Sequence, residues 1–331
     1  MSVRVNQGDA NSTSDAPDFR IVTTLKHTLF NAEDAESDSA TDAGIGRWKD
    51  LSKKLFALHT RRLREAAEAF GWVDVVKRLS VPATGAQASE PEDEERLSPQ
   101  TEPFNLERFV EDAAVATSQG GSSPGPGRGF LRDLRVRVLM SRDGQLAVEC
   151  TVMGADRPLS TLTRAVDMYT SCPFAATVPG EGEQRGAATP PCHVTVDAQP
   201  TRTSLFTRHK TTHRAPYDDA RARAGSPPLL PTTPPTAREV LLSNAAGQVT
   251  EASLSAVYFL RGGAWLTPRS DCGGLRSVTR LYALEAGWCD EGIVPVHEVA
   301  EGEVVWLSNA VRGFFPGVVK LHGQNGRENS T

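Results

Sequence analysis

Lys210 sits in the run FTRHKTTHR, a primary amine between a histidine and a pair of threonines. A lysine amine can form an imine with an aldehyde and later act as a base, provided that burial or nearby positive charge lowers its pKa. By composition alone, a lysine beside Arg208 and His209 is a solvated charge, because buried lysines are rare. Glu251, in QVTEASLSAV, is a carboxylate in an apolar setting, with Val249 before it and Leu254 and Val257 after. It could hold a proton on a buried nitrogen, or it could close a surface hairpin. The run GGLRSVTR brings two glycines and then Ser277, Val278 and Thr279 at a predicted helix start. Such a start can receive an anion on its amides or carry a plain N-cap.

Other chemistry is poorly supported. Five cysteines (150, 172, 192, 272 and 289) form no CxxC pair, and seven scattered histidines include no HExxH. Reduced thiols and no metal site are expected. GGSSPGPGRG (120–129) resembles a phosphate loop only in composition. No Lys-Ser/Thr follows it, and the next element reads as a strand, so no helix amides stand behind it.

The elements that must position these groups are readable in outline. DFRIVTTLKHTLF (18–30) is β-branched and apolar, a predicted strand, followed by an acidic, Ser-rich loop to Gly46. Trp48, Leu51, Leu55, Leu58, Ala66 and Phe70 keep a helical rhythm that Gly71 ends. Segment 103–118 predicts a second helix. LRDLRVRVLM and QLAVECTVMG alternate around SRDG and predict a hairpin. HVTVDAQP (193–200) is a further strand, and beyond the Pro-rich 226–236 short strands alternate with a helix from about Thr279. The stretches 31–47, 81–102 and 173–191 are polar insertions.

With 331 residues, the chain is long enough for two modest domains. We expect a small N-terminal α/β domain over 18–200 and a C-terminal domain over 201–321, with unstructured ends at 1–17 and 322–331. A net charge of −5, a pI near 5.9 and a mean hydropathy of −0.35 predict a soluble protein without nucleic-acid or membrane partners. The first 16 residues lack a secretory apolar core, and their two Asp argue against a mitochondrial presequence, so a cytoplasmic location is expected.

Three segments in this order resemble the class IV, D-amino-acid-aminotransferase-like family of pyridoxal phosphate (PLP) enzymes. They are FTRHKTTHRAPYDDARARAG (206–225), EVLLSNAAGQVTEASLSAVYFLRGGAWLTP (239–268), and GGLRSVTRLYALEAG with VVWLSNAVRGFFPGVV (273–287 and 304–319). Within that family the likeness is to aminodeoxychorismate lyases of the fungal type. The resemblance implies a two-domain α/β fold of type IV, a homodimer, and a small-molecule substrate. It implies that Lys210 carries PLP as a Schiff base and that Glu251, in the family's G-x-V-T-E, faces the pyridine nitrogen. The amides of Val278 and Thr279, the Thr279 hydroxyl and Arg62 of LHTRRL would meet the phosphate. SNAVRG adds amides at Asn309 and Ala310, where many relatives carry a hydroxyl in place of Ala310. Arg214, four residues past Lys210, and Arg312 look lyase-like and would receive substrate carboxylates. Thr24, on the family strand that faces the cofactor, could pass a proton to leaving enolpyruvate, although threonine is also a common strand former. Ala256 departs from the Asn that relatives often show. The implied reaction eliminates pyruvate from aminodeoxychorismate to give 4-aminobenzoate, a folate precursor. A branched-chain or D-amino-acid aminotransferase is the alternative on the same scaffold, and a non-catalytic binding protein a second.

Overall fold

The computed structural model describes residues 16–30, 39–80, 104–120, 126, 129–175, 191–226 and 238–321. The insertion 81–102, most of 173–191 and of 120–129, nearly all of 226–236, and most of both chain ends lie outside the described residues. The contacts group into two units, one of Met1–Thr170 with His209–Thr212, the other of Ser171–Arg208 with His213–Thr331. This grouping begins the second unit at Ser171, whereas the sequence reading divides the chain after residue 200. No helix among the described residues is long and apolar enough to cross a membrane.

In the first unit, strands β1 (Ile21–Phe30), β2 (Phe130–Met140) and β3 (Leu146–Val152) form an antiparallel sheet, and the short β4 (Arg157–Pro158) pairs with β2. The predicted hairpin is β2–β3, in register from Leu134↔Val152 to Met140↔Leu146. Along β2, Leu134, Val136, Val138 and Met140 are fully buried while Arg135 and Arg137 are not, the period-2 pattern of a strand with one apolar face. Helices α1 (Ser39–Ala69), α2 (Val73–Ser80), α3 (Leu106–Gly120) and α4 (Leu162–Thr170) complete the unit. The start of α1 corrects the sequence reading, which left a loop to Gly46. Ile45 and Trp48 pack on a cluster of Leu131, Leu159 and Leu162. Gly44 serves close packing rather than a loop, since a Cβ there would sit 3.2 Å from Thr163 Oγ1. Leu51, Leu58 and Ala66 are buried along α1 as their spacing predicts, and Gly71, at φ +70°, ends the run.

The second unit is built on an eight-stranded mixed sheet. Its strands are β5 (Cys192–Val196), β6 (Arg238–Ser243), β7 (Val249–Ala252), β8 (Ala256–Arg261), β9 (Ala264–Pro268), β10 (Asp290–Gly292), β11 (Val304–Asn309) and β12 (Gly313–Val319). Their order is β10-β9-β8-β11-β12-β5-β6-β7, with β12, β5 and β6 parallel. Strand β6 is buried on both faces. Leu241 enters a core with Val194, Val257, Phe259 and Leu307, while Val240 and Leu242 pack on Tyr217 and Ala220. Tyr217 and Ala220 belong to α6 (Ala215–Arg223), which follows a single turn, α5 (Leu205–Arg208); α7 (Val278–Glu285) completes the helices. Such two-faced burial explains why EVLLS is a continuous apolar run rather than an alternating one.

Candidate active site

Lys210 lies in a segment that runs antiparallel to β1. Val22 N donates to Lys210 O at 2.8 Å, Thr212 N donates to Arg20 O at 3.0 Å, and Ile21 bridges Thr211. The two flanking bonds fix the backbone of residues 210–212, and the lysine is half-buried. Its charge reaches His59 on α1, whose pKa is held well below the ordinary value by burial first and then by Arg62 and Lys210.

His59 belongs to a buried polar group that the sequence did not reveal. Arg62 Nη2 donates to Thr23 Oγ1 at 2.6 Å, and Thr23 Oγ1 lies 2.7 Å from His59 Nδ1. Thr23 is fully buried, so its single hydrogen needs an acceptor, and a neutral His59 supplies one at Nδ1. That accounting places the imidazole hydrogen on Nε2. Arg62 is 5% exposed, and burial alone lowers its pKa to about 10. It is therefore still charged at neutral pH, yet it makes no ion pair among the described residues, and its Nε has no partner. A buried cation with an idle donor and only a hydroxyl for company is a place prepared for an anion. Thr24, the sequence's candidate proton donor, is half-buried on the face of β1 opposite Thr23, across from Arg137 on β2.

The remaining candidates fall in the second unit. Glu251, on β7, is 6% exposed; its Oε1 accepts from the Tyr217 hydroxyl at 2.8 Å and from Leu275 N at 2.9 Å. Burial, followed by the Glu251 charge, pushes the Tyr217 phenol well above its ordinary pKa, so it stays a donor. Its hydrogen could also go to Thr207 O at 3.1 Å, but the shorter, charge-assisted contact is the one to the carboxylate. The close approach of the 273–275 loop needs Gly274, where a Cβ would fall 2.5 Å from Thr250 O.

Just beyond that loop, Ser277 caps α7, its hydroxyl accepting from Arg280 N at 3.2 Å. The amides of Val278 and Thr279, in the first turn, have no acceptor among the described residues, so they can meet an anion together with the helix dipole. Thr279 is fully buried and linked to Ser308 at 2.8 Å and, through it, to Tyr258.

Asn309, which follows Ser308, folds its side chain into its own turn. Oδ1 accepts from Val311 N at 3.1 Å and Arg312 N at 2.9 Å, while Nδ2 donates to Ser255 Oγ at 3.1 Å. The Ala310 amide, next to Asn309, has no acceptor among the described residues and so can meet an anion. Arg312 lies over Phe315, Cζ 3.6 Å from the ring centroid. It makes no ion pair among the described residues. Arg214 differs: it pairs with Asp218 at 3.6 Å, reaches Ser253 O at 3.4 Å, and lies over Tyr217.

A second unforeseen cluster supports this region. Glu239, 2% exposed, accepts from Ser255 Oγ at 2.7 Å, Ser253 Oγ at 2.9 Å and Leu254 N at 2.9 Å, and burial still raises its pKa. Arg221, also 2% exposed, reaches it through Ser253. Ser255 thus ties Glu239 to Asn309. Among the described residues no group of three or more His, Cys, Asp or Glu is placed to hold a metal ion.

The family model for class IV aminotransferases matches residues 47–318. The chain belongs to the class IV aminotransferase family. Its fold is accordingly type IV, and the family is PLP-dependent. A Schizosaccharomyces pombe protein named "Putative aminodeoxychorismate lyase" is 32% identical over 143 residues, a match spanning 42% of this chain and only 59% of that relative. The fold IV transaminase CpuTA1 from Curtobacterium pusillum is 16% identical, with a TM-score of 0.47, covering 97% of this chain and 84% of that one. The 4-amino-4-deoxychorismate lyase from Pseudomonas aeruginosa is 15% identical, with a TM-score of 0.43, covering 97% and 87%.

Taken one unit at a time, the residues present fit the separate groups of the family's cofactor. Arg62 offers an uncompensated buried charge to a phosphate, and the α7 amides and the Ala310 amide offer donors. Glu251 offers a buried carboxylate, held by the Tyr217 hydroxyl and Leu275 N, to a protonated ring nitrogen.

Proposed function

We propose that this class IV family member is a 4-amino-4-deoxychorismate lyase that uses PLP to eliminate pyruvate and form 4-aminobenzoate. One observation carries the choice of substrate: the Arg312 guanidinium rests over Phe315 with no ion-pair partner among the described residues, which leaves its fork available to a carboxylate. The S. pombe relative's name points the same way.

Lys210 would hold the cofactor covalently, Glu251 its ring nitrogen, and Arg62, Val278, Thr279, Asn309 and Ala310 its phosphate. When bound, PLP supplies an electron sink for charge developing at the substrate carbon. Glu251 keeps a proton on the ring nitrogen, and Tyr217 and Leu275 N hold the carboxylate in place for that task. Lys210 Nζ, freed when the substrate amine takes its place, takes the proton from the substrate carbon that bears nitrogen. The leaving enolpyruvyl oxygen then receives a proton from Lys210 Nζ or from the Thr24 hydroxyl. Arg312 binds a substrate carboxylate; Arg214, engaged by Asp218, must exchange that partner to bind the other. The active form is proposed to be a homodimer.

The test is to incubate the PLP-loaded protein with aminodeoxychorismate and, separately, with amino-acid and keto-acid pairs. Release of 4-aminobenzoate and pyruvate in equal amounts supports the lyase. Keto-acid-dependent amino transfer without 4-aminobenzoate overturns it in favour of transamination, the reaction for which the family is named.

A further inference from the structure

Three hydroxyls run in a row behind the start of α7: Tyr258 to Ser308 at 2.7 Å, and Ser308 to Thr279 at 2.8 Å. Tyr258, Ser308 and Thr279 are all fully buried, so each hydrogen must be accounted for within the protein or at a ligand. The angles at the second link make Ser308 the donor and Thr279 the acceptor. Ser308 has one hydrogen, and it is spent on Thr279; Tyr258 must therefore donate to Ser308. The hydrogen of Thr279 is then left over. The other hydroxyl within reach, Ser277 Oγ, stands 3.4 Å away, too long for a good O–H···O bond.

We infer that Tyr258 and Ser308 are positioning residues that polarise this chain toward Thr279, so that its hydroxyl presents a hydrogen, rather than a lone pair, to an oxyanion at the α7 start. The inference rests on the cofactor reading above and deepens it. Without the Tyr258 hydroxyl, Ser308 is no longer forced to donate forward. Thr279 can then give its hydrogen back to Ser308 and turn a lone pair toward the anion, which repels it. Strand geometry makes the arrangement available: Tyr258 pairs with Trp306 across β8 and β11, which places Ser308 two residues further along the same face.

The test compares two probes, PLP and its dephosphorylated form pyridoxal, by absorbance titration of the apo protein. Tyr258→Phe is expected to weaken PLP about tenfold and to leave pyridoxal unchanged, because only PLP carries the oxyanion. Ser308→Ala should do the same, and Thr279→Ser, which retains a hydroxyl, should keep the wild-type ratio between the two probes. Thermal midpoints of the apo variants read any packing loss separately. Equal weakening of both probes in Tyr258→Phe, or no weakening of PLP, overturns the polarised chain while the cofactor reading stands. A wild-type protein that binds neither probe overturns both.

Discussion

Replacing Arg62 by methionine should pull apo stability and cofactor affinity in opposite directions. The guanidinium is buried, and desolvation alone lowers its pKa to about 10. For a base whose folded pKa is depressed, the cost of the charged form is complete below the folded value and fades only as pH rises from about 10 toward the ordinary guanidinium value. At neutral pH the folded apo protein therefore carries the whole penalty, about 3 kcal/mol. Methionine keeps an apolar stem of similar reach and removes the charge. It forfeits the bond to Thr23, worth about 1 kcal/mol, although Thr23 retains His59. The net expectation is an apo protein stabilised by about 2 kcal/mol, seen as a rise of several degrees in thermal midpoint. The same change removes a charge-assisted contact to the phosphate, worth about 1.5–3 kcal/mol, so PLP should bind roughly 10- to 100-fold more weakly. Calorimetry of the apo protein and absorbance titration with PLP read the two effects. Inorganic phosphate should raise the wild-type midpoint and leave that of Arg62→Met unmoved. A variant that melts lower than wild type and binds PLP as tightly would falsify the anion role of Arg62.

Further outcomes follow from the second unit. Glu251→Gln should leave PLP bound but slow turnover by roughly 10²–10³, on the scale of losing a preorganised charge contact; unchanged turnover in steady-state assays would remove Glu251 from the chemistry. Gly274→Ala forces Thr250 O away from a Cβ at 2.5 Å and should cost about 1–3 kcal/mol while loosening the Leu275–Glu251 bond. A melt indistinguishable from wild type would show that the loop yields freely. Glu239→Ala removes the buried carboxylate that Arg221 reaches through Ser253 and leaves the Ser253 and Ser255 hydroxyls without their acceptor, for a loss of about 3 kcal/mol in denaturant titrations. A loss under 1 kcal/mol would mean that the two charges do not sustain each other through Ser253.

What could be read from the chain was local. The β2–β3 hairpin announced itself because one strand face is apolar and the other carries arginines, and α1 because its leucines recur at helical spacing. The start of α1 was hidden, since SATDAGIG has loop composition and becomes helical where Ile45 and Gly44 meet neighbours far along the chain. Helix α2 was missed because eight residues offer too short a period. The order of the large sheet was not legible either, as it joins β12 to β5 and β8 to β11 across long separations. In the site, motif order singled out Lys210, Glu251, Thr279 and Arg62, but not the groups that hold them. Thr23 and Thr24 are the same residue type in adjacent positions, and only packing against α1 shows which one meets Arg62 and His59. Tyr217, Glu239 and Ser308 reach their partners through space, and the sequence has no spacing that marks such pairs.

Borohydride reduction of the PLP-loaded protein, followed by peptide mapping, tests most directly whether the amine at position 210 is the one that takes the cofactor. A phosphopyridoxyl label confined to the peptide containing Lys210, and absent after Lys210→Ala, is the predicted result. A label on any other lysine, or no label on protein that has demonstrably bound PLP, would contradict the account.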